Sequence, residues 1–325
     1  MKALLCHRFG PIADLQLDEV PTPAPGPTQV LIEVKAAALN FPDALIVQGL
    51  YQMRPELPFS PGAEVAGVVS AVGSEVKQLR VGERVVALIG HGGFAEYCVA
   101  EEMRCMPLPA GMDFDTGATL VLTYGTSLHA LKDCTALQPG ETLLVLGAAG
   151  GVGLSAIEIG KAMGARVIAA ASSAEKLTLC RRVGADESIN YATENLRERV
   201  KALTDGKGVE VIYDPVGGDY SEPALRSLAW RGRLLVVGFA AGTIPQIPLN
   251  LVLLKEAQIQ GVFWGDSVRR DPRGHLANMR QLLAWFAAGT IRPQITERLP
   301  LAQAADAIAR IARREVIGKV VIQPG

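Results

Sequence analysis

The chain has 325 residues, 49% hydrophobic and 20% charged, with a formal net charge of −1. That length predicts two domains with sizeable cores, and the balanced charge argues against nucleic acid or an anionic membrane as a partner. No apolar run approaches the ~20 residues of a membrane span, and Met1 to Arg8 turns polar too early for a secretory leader.

Residues 1–122 read as strand-rich. Val30, Ile32, Val34 and Ala36 alternate with polar neighbours, the period of a half-buried strand. Glu64 to Val72, Arg84 to Ile89 and Phe94 to Val99 read similarly, separated by turn signals such as Pro25-Gly26-Pro27 and His91-Gly92-Gly93. From 123 to 262 strands alternate with helical patterns. The strands are Thr142 to Leu146, Arg166 to Ala171, Glu187 to Asn190, Val209 to Tyr213, Arg233 to Gly238 and Ala257 to Val262. Such alternation predicts a doubly wound parallel sheet. Helical patterns at Arg280 to Ala287 and Leu301 to Ala312 then surround a strand at Gln294 to Leu299, and a last strand runs from Lys319 to Ile322. This tail is too small for a domain. It is expected to pack on the N-terminal part, giving one domain of 1–122 plus 263–325 interrupted by another of 123–262.

The segment Gly147-Ala148-Ala149-Gly150-Gly151-Val152-Gly153 joins the strand at Thr142 to the helical pattern from Leu154. Strand, tight glycine turn and helix form the diphosphate-binding corner of a dinucleotide fold, because only glycines let backbone N–H groups approach the anion closely. Ala149, Gly150, Gly151, Val152 and Gly153 are therefore candidate diphosphate contacts. A carboxylate about 20 residues on would bind the ribose 2′-hydroxyl of NAD. Ser172 stands there instead, followed by Ser173 and Lys176. Without a negative charge a 2′-phosphate is not repelled, so NADPH is expected over NADH. The plainer alternative is that Ser172 to Glu175 caps the next helix and Lys176 is a solvated surface residue.

Five cysteines, an odd number, are expected as reduced thiols in a cytoplasmic protein. They lack the short paired spacing of a zinc site and read as small apolar core residues. The four histidines are dispersed, and none is assigned to a metal.

The chain resembles the zinc-free NADPH:quinone oxidoreductase branch of the medium-chain dehydrogenase/reductase superfamily. The resemblance spans the whole length. It is carried by Asn40-Phe41-Pro42-Asp43, Pro61-Gly62-Ala63-Glu64, Gly82-Glu83-Arg84-Val85, Gly93-Phe94-Ala95-Glu96-Tyr97, the glycine turn, Asp214-Pro215-Val216-Gly217-Gly218 and Gly232 to Gly238. It implies a GroES-like, mostly-β catalytic domain interrupted by a Rossmann domain, with a cleft between them. It also implies a homodimer formed through the last Rossmann strand, here Ala257 to Trp264. Zinc-dependent relatives place a cysteine where this chain has Asn40, and a histidine–glutamate pair where it has Ala63-Glu64. Without zinc, alcohol oxidation is disfavoured and reduction of a quinone or α,β-unsaturated carbonyl remains feasible. The resemblance further suggests Tyr191 and Lys319 near the 2′-phosphate. It places Gly238, Phe239, Phe263 and Trp264 around the nicotinamide. Candidate donors to the acceptor oxygen are Asn40 and Tyr51, then Tyr124. Asp43 is read as exposed, ionised and orienting a neighbour. Asn40 also reads as a turn residue, and both tyrosines also read as half-buried core residues with satisfied hydroxyls.

Two other functions fit the same residues. An enoyl-thioester reductase would need a basic patch for carrier phosphates, for which Arg269-Arg270-Asp271-Pro272-Arg273 is the one run available. A non-catalytic NADPH-binding protein would bind the nucleotide without oxidising it.

Overall fold

The computed structural model describes residues 1–325. The chain divides into two compact units, Met1–Leu122 with Ile295–Gly325, and Thr123–Gln294.

The first unit begins with an antiparallel pair, β1 (Lys2–Leu5) and β2 (Gln16–Glu19). The chain continues through β3 (Gln29–Ala38), α1 (Phe41–Val47), β4 (Glu64–Val72), β5 (Arg84–Leu88), β6 (Tyr97–Glu101), β7 (Cys105–Pro107) and α2 (Phe114–Leu128). Alternation along β3 sends Val30, Ile32 and Val34 into a core shared with Val65, Val85 and Phe94. Helix α1 starts where Asn40 takes an extended conformation and Pro42 sits in the first turn, where its missing N–H costs nothing.

The second unit carries β8 (Thr142–Val145), α3 (Gly151–Ala162), β9 (Arg166–Ala171), α4 (Ala174–Arg182), β10 (Glu187–Asn190), α5 (Leu196–Leu203), β11 (Val209–Asp214), α6 (Ser221–Arg226), β12 (Leu228–Val236), α7 (Leu249–Lys255), β13 (Gln258–Gly261), α8 (Trp264–Arg270) and α9 (Pro272–Ala287). Its strands lie in the order β10-β9-β8-β11-β12-β13, every neighbouring pair parallel. The order reverses between β8 and β11, the switch point where doubly wound sheets bind nucleotides. The buried Leu143, Leu144 and Val145 of β8 match a strand covered on both faces. Strand β12 starts five residues earlier than its apolar pattern indicates, since Leu228 already pairs with Val209 across a bulge.

The chain returns to the first unit through β14 (Ile295–Pro300), α10 (Ala304–Ala312) and β15 (Lys319–Gln323). Strand β15 closes on β3, completing a seven-stranded sheet. The return begins at Ile295, not at 263 as the sequence pattern suggests. Residues 263–294 belong to the second unit for two reasons. The Trp264 indole packs so closely on Gly125 that a Cβ there would meet it at 2.6 Å. Asn278 of α9 donates to Asp133 at 2.8 Å and accepts from Lys132 at 2.8 Å.

Candidate functional site

The glycine turn leaves β8 at Gly147, whose φ of 56° suits glycine. Gly150 is the N-cap of α3 and brings no side chain over the helix end. The first-turn N–H groups of α3, those of Gly151, Val152 and Gly153, have no intrahelical acceptor and carry the positive end of the helix dipole. A Cβ on Gly153 would stand 2.5 Å from Gly147 O and 2.7 Å from the Ala148 backbone, so only glycine lets turn and helix close together. Beneath them Ser127 Oγ meets Ser155 Oγ at 2.8 Å and Tyr213 Oη at 2.9 Å. This buried hydroxyl network fixes α3 against β11, and no short motif announces it.

At the end of β9, Ser172 is exposed and Ser173 caps α4, its Oγ accepting from Lys176 N at 3.3 Å. Lys176 Nζ lies 3.3 Å from Ser172 Oγ. Tyr191 follows β10, its ring 4.5 Å from that of Tyr220. At the end of β11 the buried Asp214 accepts from the N–H groups of Val216 and Gly217, both at 2.9 Å, and from Ser221 Oγ at 2.7 Å. It thereby holds the loop facing Gly238 and Phe239. Phe239 and Phe263 are exposed. Trp264, expected beside the nicotinamide, is instead a buried packing residue against Gly125 and the edge of His275.

The first unit encloses a polar cluster. Lys319 Nζ donates to Leu39 O at 3.1 Å, Asn40 Oδ1 at 2.7 Å and Glu64 Oε1 at 3.3 Å. Asn40 Nδ2 donates to Glu64 Oε1 at 2.9 Å and to Ala38 O at 3.2 Å, and Leu122 N donates to Glu64 Oε2 at 2.9 Å. Asp43 accepts from Asn40 N at 2.7 Å and Gly62 N at 3.1 Å. Burial pushes Asp43 up to about 7, against the pull of those two N–H groups and of Lys319. Burial also pushes the Lys319 ammonium down, opposed by Glu64 and Asp43.

Three expectations change here. Lys319 was expected at a cofactor phosphate, but its ammonium is buried among Asn40, Leu39 and Glu64. Asn40 was a candidate donor to substrate, but both its amide hydrogens and its oxygen are engaged inside the cluster. Asp43 is fully buried rather than exposed.

Of the tyrosines, Tyr124 is buried and its hydroxyl donates to Glu158, which also accepts from Arg292 N at 3.0 Å. Burial and the Glu158 carboxylate hold the Tyr124 hydroxyl well above its ordinary value, and burial pushes Glu158 up to about 7. That hydroxyl is therefore committed within the second unit, which removes Tyr124 as a donor to substrate. Tyr51 packs at the edge of the first unit's core, and its phenol is raised by burial and by Asp43. Its hydroxyl makes no hydrogen bond within the chain, so it is the candidate donor that remains available. The five cysteines read as core residues, but Cys105 and Cys134 are not fully buried. Cys134 is half-buried, and its Sγ lies 3.4 Å from His129 Nε2.

No group of three or more His, Cys, Asp or Glu side chains is arranged to hold a metal ion. No helix is long and apolar enough to cross a membrane.

A GroES-like unit interrupted by a Rossmann unit, with a glycine cradle at the switch point, defines a medium-chain dehydrogenase/reductase. Two family profiles match in agreement, "Alcohol dehydrogenase GroES-like domain" over residues 26–110 and "Zinc-binding dehydrogenase" over 151–286. A quinone oxidoreductase-like protein 2 homolog of Nematostella vectensis is 39% identical over 99% of this chain and 88% of its own length. The crystal structure of Escherichia coli quinone oxidoreductase complexed with NADPH superposes at a TM-score of 0.93, with 31% identity and both chains covered fully, 100% each. That of CurK enoyl reductase superposes at 0.88, with 26% identity over 99% of this chain and 98% of the other. The chain belongs to the quinone oxidoreductase family of that superfamily.

Proposed function

We propose that the chain is an NADPH-dependent reductase of quinones and α,β-unsaturated carbonyls. The observation that carries the cofactor choice is the end of β9. There the hydroxyls of Ser172 and Ser173 and the Lys176 ammonium stand where a carboxylate would repel a phosphate. The N–H groups of Gly151, Val152 and Gly153 would hold the diphosphate, and Tyr191 would flank the 2′-phosphate. The loop of Gly238 and Phe239, placed by Asp214, would border the nicotinamide with Phe263. When bound, NADPH supplies a hydride to the electrophilic carbon of the acceptor. Negative charge then develops on the acceptor oxygen, and Tyr51 is the residue with a hydroxyl free to donate to it. Asp43, Asn40, Glu64 and Lys319 act as the scaffold that fixes α1, the helix preceding Tyr51.

The second unit also supports a homodimer. Strand β13 is the outer edge of its sheet, paired on one side with β12, and all four of its residues are exposed. Trp230, Leu249, Leu253 and Leu254 expose 62–77% of their surface nearby, where Arg231 of β12 pairs with Glu256 at the end of α7. The likeness to an enoyl reductase structure gives a second reading, reduction of an enoyl thioester. Initial rates with 1,4-benzoquinone, an enone and crotonyl thioester, each with NADPH, separate the two. Faster turnover of the quinone or enone supports the proposal, and faster turnover of the thioester favours the second reading. Tight NADPH binding without oxidation by any of them would make the chain a non-catalytic binding protein. Tyr51→Phe is expected to lower quinone turnover roughly tenfold or more, and unchanged turnover would remove Tyr51 from the acceptor site.

A further inference from the structure

Outside these sites, one cluster of side chains has the arrangement of an activated nucleophile. After α2 the chain winds into a π-helical turn, His129–Cys134, with Thr135 N donating to Ala130 O at 3.2 Å. Such i→i+5 winding is rare and recurs at functional sites. Its consequence here is geometric. Residues five apart, which an α-helix would splay, come onto one face, and Cys134 Sγ lies 3.4 Å from His129 Nε2. The other ring nitrogen, Nδ1, lies 2.9 Å from Asp133 Oδ2. Asp133 is held in turn by Asn278 of α9, which donates to the same Oδ2 at 2.8 Å. Lys132 fixes that asparagine by donating to its Oδ1 at 2.8 Å and to Gln281 Oε1 at 3.0 Å.

The carboxylate only accepts, so it sets the tautomer: Nδ1 carries the hydrogen and Nε2 presents its lone pair to the thiol. Nucleophile, base and orienting carboxylate thus stand in the order that activates cysteine in covalent catalysis. All of these residues belong to the second unit. Cys134 is half-buried, whereas Cys6, Cys98 and Cys180 are buried.

We propose that Cys134 is a covalent capture site for soft electrophiles of the conjugated-carbonyl class, with His129 as general base and Asp133 as its positioning residue. In the reaction Sγ bonds to the β-carbon of the acceptor, and the C=C electron pair moves toward the carbonyl as an enolate. His129 Nε2 takes the thiol proton and returns it to the α-carbon. No oxidant or reductant is consumed. Burial and the neighbouring Asp133 carboxylate hold the thiol above its ordinary value, so the resting group is S–H and the base is needed as the S–C bond forms. The nucleophile rests on the geometry of the turn alone. The choice of electrophile rests on the proposed function, whose acceptors are themselves thiol-reactive.

The test is peptide-resolved mass spectrometry of the full chain exposed to methyl vinyl ketone without NADPH. Cys105 serves as the internal comparator, being partly exposed like Cys134 but with its thiol bonded to Glu101 O and pushed up to about 12 by burial and by Glu102 and Glu101. Cys134 is expected to react roughly tenfold or more faster than Cys105, and His129→Gln to slow it by a similar factor. Equal labelling of Cys134 and Cys105, or a folded His129→Gln that labels at Cys134 as fast as the wild type, would overturn the proposal. The ratio of Cys134 to Cys105 labelling in the wild type decides alone if circular dichroism shows that His129→Gln is misfolded. A chain that captures the enone at Cys134 yet oxidises no NADPH would sink the proposed function and leave this inference standing.

Discussion

Replacing Lys319 by methionine removes the one cation from a cluster that holds two buried carboxylates. Glu64 is 0% exposed and Lys319 4%. In the variant, Glu64 keeps the amide of Asn40 and the N–H of Leu122 but loses its counter-charge. Breaking a buried pair by removing one partner costs about 3–5 kcal/mol, whereas a surface pair is worth about 0–1. The first range applies because neither end of this pair meets solvent. With a urea m-value of about 2 kcal/mol/M, the midpoint of the first unit should fall by about 1.5–2.5 M. Trp230, Trp264 and Trp285 all lie in the second unit, so tryptophan fluorescence would follow the wrong part of the chain. Hydrogen exchange of β15 and α1 across a urea series reads the right one. Adding Glu64→Gln to Lys319→Met should recover at least about half of the loss, because the stranded charge is then gone. A loss below about 1 kcal/mol, or a double variant no better than the single, would show that Lys319 is not the counter-charge of Glu64.

Glu158 sets a pH dependence in the second unit. Its folded value, about 7, lies above the ordinary 4.5, so the folded state binds its proton more tightly than the unfolded state. Its contribution to stability is complete below about pH 4.5 and is lost as pH rises through about 7, on the order of 3 kcal/mol by pH 8. Glu158→Gln can donate to Tyr124 Oη and accept from Arg292 N, so its melting temperature should stay flatter between pH 5 and 8. Parallel pH curves for variant and wild type would contradict this. Gly153→Ala should abolish NADPH binding in a fluorescence titration, since the methyl group overlaps Gly147 O at 2.5 Å, and retained affinity would dismiss the cradle. Lys176→Ala should lower kcat/KM for NADPH by roughly tenfold or more, the worth of one charged hydrogen bond, and leave NADH unchanged. Equal effects on both cofactors would remove Lys176 from the 2′-phosphate role.

The strand, glycine turn and helix from β8 to α3 were legible in the sequence because their physics is local. Strand, glycine turn and helix are contiguous, and the missing carboxylate after β9 is read at one position. The parallel order of the second sheet follows from alternation of strand and helix. The polar cluster was not legible, because it joins Lys319 to residues some 280 positions away, and a lone lysine at the start of a strand reads as solvated. Nor could sequence spacing say which way Tyr124 and Trp264 face. Both are amphipathic rings that suit a cleft or a core, and the core claimed them through Glu158 and Gly125. The pairing of His129 with Cys134 was hidden for another reason: at α-helical winding residues five apart diverge, and only the π turn aligns them.

The proposed activity is NADPH-dependent reduction of a conjugated acceptor. The most direct test is kcat/KM for 1,4-benzoquinone measured with NADPH and with NADH on the same wild-type sample. A preference for NADPH of roughly tenfold or more is predicted from the serine and lysine contacts at the end of β9. An equal or greater value with NADH, or no turnover with either, would contradict it.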